Sequence, residues 1–172
     1  MILENTIAQV IEHQKQRFSS RNCGLKRELV PDMRSLSSHA LIISGIRRCG
    51  KSTLLMQMMK AMDEKATLYL NFESPHLYGF VLSDFARLDN IIAQKGVNIL
   101  FFDELQLVEG FEMYVRQKLD EGFKVIITGS NAAMFNKLKI FASDQMYYII
   151  RVAGNKIIYT FYIKTFLQHP VT

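Results

Sequence analysis

Residues 40–59 read ALIISGIRRCGKSTLLMQMM, and the reading of this stretch decides the fold. Gly45, Gly50, Lys51 and Ser52 satisfy the spacing G-x-x-x-x-G-K-[ST]. The apolar run Ala40, Leu41, Ile42, Ile43 suits a buried parallel strand, and 52–62 suits a helix. Glycines let the chain between them curl until successive backbone N–H groups face one point. The helix behind the curl adds unpaired N–H groups and the positive end of its dipole, so an anion belongs there. The stretch therefore reads as a phosphate-binding loop. Its candidate nucleotide-binding residues are Gly45, Ile46, Arg47, Arg48, Cys49, Gly50, Lys51, Ser52 and Thr53. Lys51 is placed to meet β- and γ-phosphates, and the Ser52 hydroxyl to sit on Mg2+.

Downstream, TLYLNF (67–72) reads as a second strand, ending at Asn71 and Glu73 before the breaker pair Ser74–Pro75. The spacing of Phe80, Val81, Phe85, Leu88, Ile91 and Ile92 predicts a helix over 78–95, closed by Gly96. VNILFF (97–102) is a continuous apolar run, as expected of a strand covered on both faces, and it delivers Asp103 and Glu104 to its carboxyl end. A helix over 110–122 and a strand KVIIT (124–128) follow, with Gly129, Ser130 and Asn131 directly after. Strand, loop and helix in repetition predict an α/β fold with a parallel sheet and right-handed crossovers. Ligands of such sheets bind beyond the carboxyl ends of strands, where all these polar residues fall.

An apolar strand ending in Asp-Glu about fifty residues after a phosphate loop is the Walker B arrangement. Asp103 is the second candidate metal residue beside Ser52, acting through the waters that Mg2+ retains. Glu104 is the candidate catalytic base, with Lys51 and Asn131 as the other catalytic residues. Asn131, or Ser130 beside it, can hydrogen-bond the γ-phosphate or orient water. Asn71 shares that sheet edge and is a candidate to hold Glu104 idle through a side-chain bond.

Upstream, residues 1–21 look helical, with Ile2, Leu3, Ile7, Val10, Ile11 and Phe18 on an imperfect apolar face. Residues 1–35 are read as an N-terminal helical arm, either packed on the sheet or lying over the nucleotide, and 36–172 as the core. The net charge of +5 is a mild basic excess that suits nucleotide or nucleic-acid phosphates. Cys23 and Cys49 lack metal spacing, and a disulfide at Cys49 would restrict the loop, which favours a reduced, cytoplasmic setting. The N-terminus, with Glu4 and Glu12 early, lacks a signal-peptide pattern, and no apolar run approaches the ~20 residues of a membrane span. Near the C-terminus, 133–142 reads as helical and 147–152 and 156–161 as strands, with a turn at Asn155.

With those residues in place, the chain resembles the prokaryotic AAA-type P-loop ATPases of bacteria and archaea. The matching stretches are GLKREL (24–29), ISGIRRCGKSTLL (43–55), YLNFE (69–73), ILFFDELQ (99–106) and ITGSNA (127–132). The resemblance covers about residues 16 to 135. It implies a three-layer P-loop NTPase fold with a central, mainly parallel five-stranded sheet flanked by helices. It also implies ATP with Mg2+, and Asn131 (or Ser130) as a sensor on the fourth strand. After about 135 the core reads as degenerate or truncated. VAGNKIIYTFYIKTFL (152–167) carries Asn155 where the family has an arginine, and the family's C-terminal domain has no counterpart in these 172 residues.

The expected activity is slow hydrolysis of ATP to ADP and phosphate. A non-hydrolysing nucleotide switch that binds DNA or a protein partner is the alternative, and an oligomer is compatible with either. A small-molecule kinase ranks last, because the segment between the second and third strands offers only Arg87 for an arginine-rich lid.

Overall fold

The computed structural model of the chain describes residues 1–19, 40–46, 48–129, 147–153 and 156–162. The N-terminal helix α1 (Glu4–Ser19) precedes β1 (Ala40–Ser44), α2 (Lys51–Lys60) and β2 (Thr67–Asn71). Then follow α3 (Phe85–Lys95), β3 (Ile99–Asp103), α4 (Phe111–Asp120), β4 (Lys124–Gly129), β5 (Tyr147–Ala153) and β6 (Lys156–Tyr162). Residues 20–35 of the expected N-terminal arm, the helix expected over 133–142 and the turn at Asn155 lie outside the described residues.

The strands form one sheet in the order β2-β3-β4-β1-β5-β6. The first five run parallel, and β6 returns antiparallel to β5. The sheet thus has the mainly parallel character expected, with one strand more than five. Only two residues separate β5 from β6, too few for a parallel crossover, so the chain doubles back.

Strand residues alternate between two cores, which explains why the central strands read as unbroken apolar runs. Ile42, Leu100, Phe102, Val125 and Ile127 face a core shared with α1, α3 and α4. Leu41, Ile43, Phe101 and Ile126 face a second core with Leu54, Leu55 and Met58 of α2. Met58 and the partly buried Met59 of α2 fill that face as adaptable apolar volume.

Helix α1 packs on β2 and α3 through Ile7, Val10 and Ile11, while Leu3 stays exposed. Its Gln14 amide treats the edge strand as a neighbouring strand would. Nε2 donates to the Asn71 carbonyl at 3.1 Å, and Oε1 accepts the Asn71 N–H at 2.8 Å. Phe18 lies against Tyr69 with ring centroids 4.0 Å apart. An edge that would otherwise expose pairing groups is thereby covered.

The helix expected over 78–95 begins only at Phe85. Asp84 is the reason: its buried carboxylate accepts the N–H groups of Val81 and Ile2, each at 3.1 Å, and pairs with Arg87 at 3.0 Å. Those bonds hold 82–84 in a short 3-10 turn and leave Gly79 with φ 79, so residues 78–81 stay out of the helix. Helices α3 and α4 are joined by Tyr114, which stacks on Phe85 and donates to Asp89, and by buried Lys118, which pairs with Asp89 and Glu121. Burial, then the Asp89 carboxylate, push the Tyr114 phenol far above its ordinary range.

Asp84→Ala should lower unfolding stability by about 2–3 kcal/mol, because it strands two backbone donors and a guanidinium. Urea denaturation with an unchanged slope checks this, and a loss under 0.5 kcal/mol would contradict it.

Candidate functional site

The loop after β1 leaves no room for a side chain at its first glycine. A Cβ at Gly45 would stand 2.4 Å from the Val152 carbonyl oxygen and 2.6 Å from Cys49 Sγ, so no side chain fits there and the loop lies close against β5. Arg48 (φ 65) and Gly50 (φ 90) take left-handed conformations that curl the backbone into the start of α2. The Leu54 N–H then donates to the Gly50 carbonyl at 3.0 Å, closing the first helical turn. Cys49 is buried, and Ile46 and Arg48 are exposed.

Lys51 is buried, and its ammonium donates to the carbonyls of Gly45 at 3.0 Å and Ile46 at 3.2 Å. A buried cation is stable only with such partners, and these carbonyls keep it inside the curl of the loop. Ser52 and Thr53, in the first turn of α2, are half-buried. Arg47, Ser130 and Asn131 lie outside the described residues.

Asp103, the last residue of β3, is 1% exposed. Its carboxylate accepts three hydroxyls from three different elements. Ser52 donates to Oδ2 at 2.9 Å and Tyr69 to the same oxygen at 3.1 Å, while Thr128 donates to Oδ1. The loop serine and the aspartate that ends β3 are therefore in direct contact across 51 residues of chain. Tyr69 and Thr128 went unremarked as site residues in the sequence. Their signal was available, since each faces Asp103 from a strand flanking β3, but reading it requires the sheet order.

Glu104 has a left-handed backbone (φ 55), uncommon for a residue with a side chain. Its N–H donates to the Thr128 carbonyl at 3.1 Å and lies 3.3 Å from the Thr128 hydroxyl, which pins the turn. The bond expected between Asn71 and Glu104 does not form. The Asn71 side chain is oriented by its own turn, where its oxygen accepts the Glu73 N–H at 2.8 Å, a local bond that asparagine makes readily. Glu104 Oε2 accepts Nε2 of Gln106.

A cleft of about 610 Å3 opens beside this group, lined by Ser52, Asp103 and Asn71 and by His13 and Arg17 of α1. Among the described residues, no helix is long and apolar enough to cross a membrane.

The family model described as "AAA domain" matches residues 37–150, which takes in the loop, β3 and the carboxyl ends of the parallel strands. The chain belongs to this family, that of the P-loop AAA-type ATPases. The resemblance read from the motifs is confirmed at that level. The AAA domain is 35% identical over 97 residues to "Uncharacterized protein MJ1544" of Methanocaldococcus jannaschii, covering 56% of this chain and 22% of that one. It is 36% identical over 105 residues to an "Uncharacterized protein" of Haemophilus influenzae, covering 55% of this chain and 26% of that one. The chain spans about a quarter of the length of the curated relatives it matches. Among solved structures, a DNA replication initiation factor is similar over 84% of this chain and 46% of its own, at 12% identity and TM-score 0.45. PCH-2 of C. elegans is similar over 86% and 41%, at 13% identity and TM-score 0.44. AMPPCP-bound DnaA from Aquifex aeolicus is similar over 89% and 48%, at 14% identity and TM-score 0.40.

Thr128→Val keeps the shape at position 128 but removes one donor to a buried carboxylate. It should cost about 1–3 kcal/mol of stability, read by urea denaturation, and a change below 0.5 kcal/mol would show that Asp103 does not depend on it.

Proposed function

We propose that this AAA domain binds ATP with Mg2+ and hydrolyses it to ADP and phosphate by attack of water. The observation that carries the reading is the Ser52–Asp103 contact, 2.9 Å, at the amino end of α2 and beside the loop that follows β1. A hydroxyl and a carboxylate at one point form a hard-oxygen pair, the donor chemistry Mg2+ takes when phosphate oxygens and water complete its shell. Among the described residues there is no cluster of three His, Cys, Asp or Glu side chains to hold a metal unaided, so a divalent ion here would depend on the phosphates. Bound Mg2+, held by Ser52 directly and by Asp103 through water, would supply charge neutralisation at the phosphate oxygens.

The chain's own residues do the rest. The N–H groups of residues 45–53, Arg47 included, cradle the β- and γ-phosphates. Lys51 exchanges its two carbonyl partners for phosphate oxygens, moving its charge only within the loop. Glu104, at the end of β3, accepts a proton from the attacking water. Asn131, after β4, orients that water or bonds the γ-phosphate. No arginine is assigned to the transition state, and such a group contributes about 10³–10⁵ in rate, so basal turnover is slow. The mild net charge of +5 favours the anionic substrate and is compatible with a DNA or protein partner or with self-association.

Equilibrium binding of Mg·ATP and phosphate release test the reading on the purified chain. Lys51→Ala should abolish binding. Glu104→Gln should retain it and lose about 10²-fold or more in turnover. Wild-type protein that binds Mg·ATP but releases phosphate no faster than Glu104→Gln would exclude hydrolysis. Failure to bind at millimolar concentration would exclude the site altogether.

A further inference from the structure

Between β3 and α4 the chain makes one 3-10 turn, Leu105–Leu107, whose role the reaction outlined above does not account for. Its backbone is fixed at both ends. Leu105 and Val108 are buried, the Leu107 N–H donates to the Glu104 carbonyl at 3.2 Å, and Glu104 itself is tied to Thr128. From this turn the Gln106 Nε2 donates to Glu104 Oε2.

A polar pair two residues apart in a turn is commonly a local accident of geometry. The other half of the Gln106 amide argues against that here. Its Oε1 is buried and accepts no hydrogen bond among the described residues. Burying an acceptor without a partner is costly, yet the amide keeps its donor on the carboxylate and leaves its oxygen unpaired. Turning would press Oε1 against a carboxylate oxygen, and the repulsion forbids it. The carboxylate therefore dictates the amide's orientation, at the expense of the amide's own oxygen. That is the signature of a charge-assisted bond that dominates its surroundings.

We propose that Gln106 is a positioning residue for Glu104, holding the carboxylate by one oxygen in the orientation from which it takes the proton of the attacking water. The inference rests on Glu104 as the base. A glutamate side chain has three rotatable torsions, and the left-handed backbone at 104 directs the chain without fixing them. Gln106 restricts them from a turn that is itself anchored. Gln106 touches neither phosphate nor water in this account. It acts only through Glu104.

The unliganded protein offers a direct test by NMR with 15N-labelled glutamine side chains. The Gln106 NH2 protons should exchange more slowly than those of Gln94, which is exposed on α3. The protection should vanish in Glu104→Ala. A Gln106 signal that exchanges as fast as Gln94, or that is unaffected by Glu104→Ala, would overturn the proposal without any assay of turnover. In phosphate-release kinetics Gln106→Met keeps the length of the side chain and removes the donor. Its kcat should fall about ten- to a hundred-fold with KM unchanged, as misplacement of a reacting group does. Gln106→Glu, which sets a like charge against Glu104, should fall at least as far. In a Glu104→Gln background, Gln106→Met should have no further effect, because the two residues act as a unit. A twofold change or less in Gln106→Met, or the same fractional loss in both backgrounds, would overturn the positioning role and leave ATP hydrolysis standing. Wild-type protein that binds Mg·ATP without turning it over would instead overturn both.

Discussion

The Asp103 carboxylate is buried at the carboxyl end of β3, where it accepts three hydroxyls that arrive from α2, β2 and β4. Isolated in an apolar interior, such a group would be expelled or neutralised. With Ser52, Tyr69 and Thr128 around it, it becomes a tie that fixes four elements to one another. The parallel register of β2 on β3 sets Asn71 opposite Asp103, which puts Tyr69 two residues back on the strand whose hydroxyl reaches it. The register of β1 with β4 sets Ile43 opposite Thr128, so the loop leaving β1 and the hydroxyl of β4 emerge at one level. Around that level lie the loop amides, Lys51, Glu104 and Gln106.

The N-terminal helix is part of the same arrangement. Gln14 supplies to Asn71 both hydrogen bonds that a further strand would make, and Phe18 covers the ring of Tyr69. The sheet edge nearest the site is closed by a helix, and the Tyr69 hydroxyl that meets Asp103 is held by packing on its ring. The opposite edge is managed differently, by the hairpin of β5 and β6, and Gly45 leans on the carbonyl of Val152 there. The phosphate loop is thus seated against β5, while its serine is bound to β3.

Much of this was legible in the sequence. The G-x-x-x-x-G-K-[ST] spacing and the apolar run that ends in Asp103 and Glu104 are local patterns, and local patterns survive without coordinates. The cadence of strand, loop and helix fixed the class as α/β with a parallel sheet, because a short connection cannot join parallel neighbours. The onset of α3 was misplaced, since apolar spacing over 78–95 says nothing of a carboxylate at 84 that collects N–H groups from Val81 and from Ile2, 82 residues away.

By itself, then, the chain of residues determined which strand ends carry the polar residues, for the reason that charge, glycine placement and hydrophobic period are properties of short segments. Tertiary structure alone decided which polar groups meet there. Asn71 is held in its own turn by the Glu73 N–H, while an anchored 3-10 turn brings the Gln106 amide to Glu104. Tyr69 and Thr128 became partners of Asp103 only when β2 and β4 closed on either side of β3. Hydrogen bonds fall off within a fraction of an ångström, so their pairing is settled by sheet order and register, which no local pattern encodes.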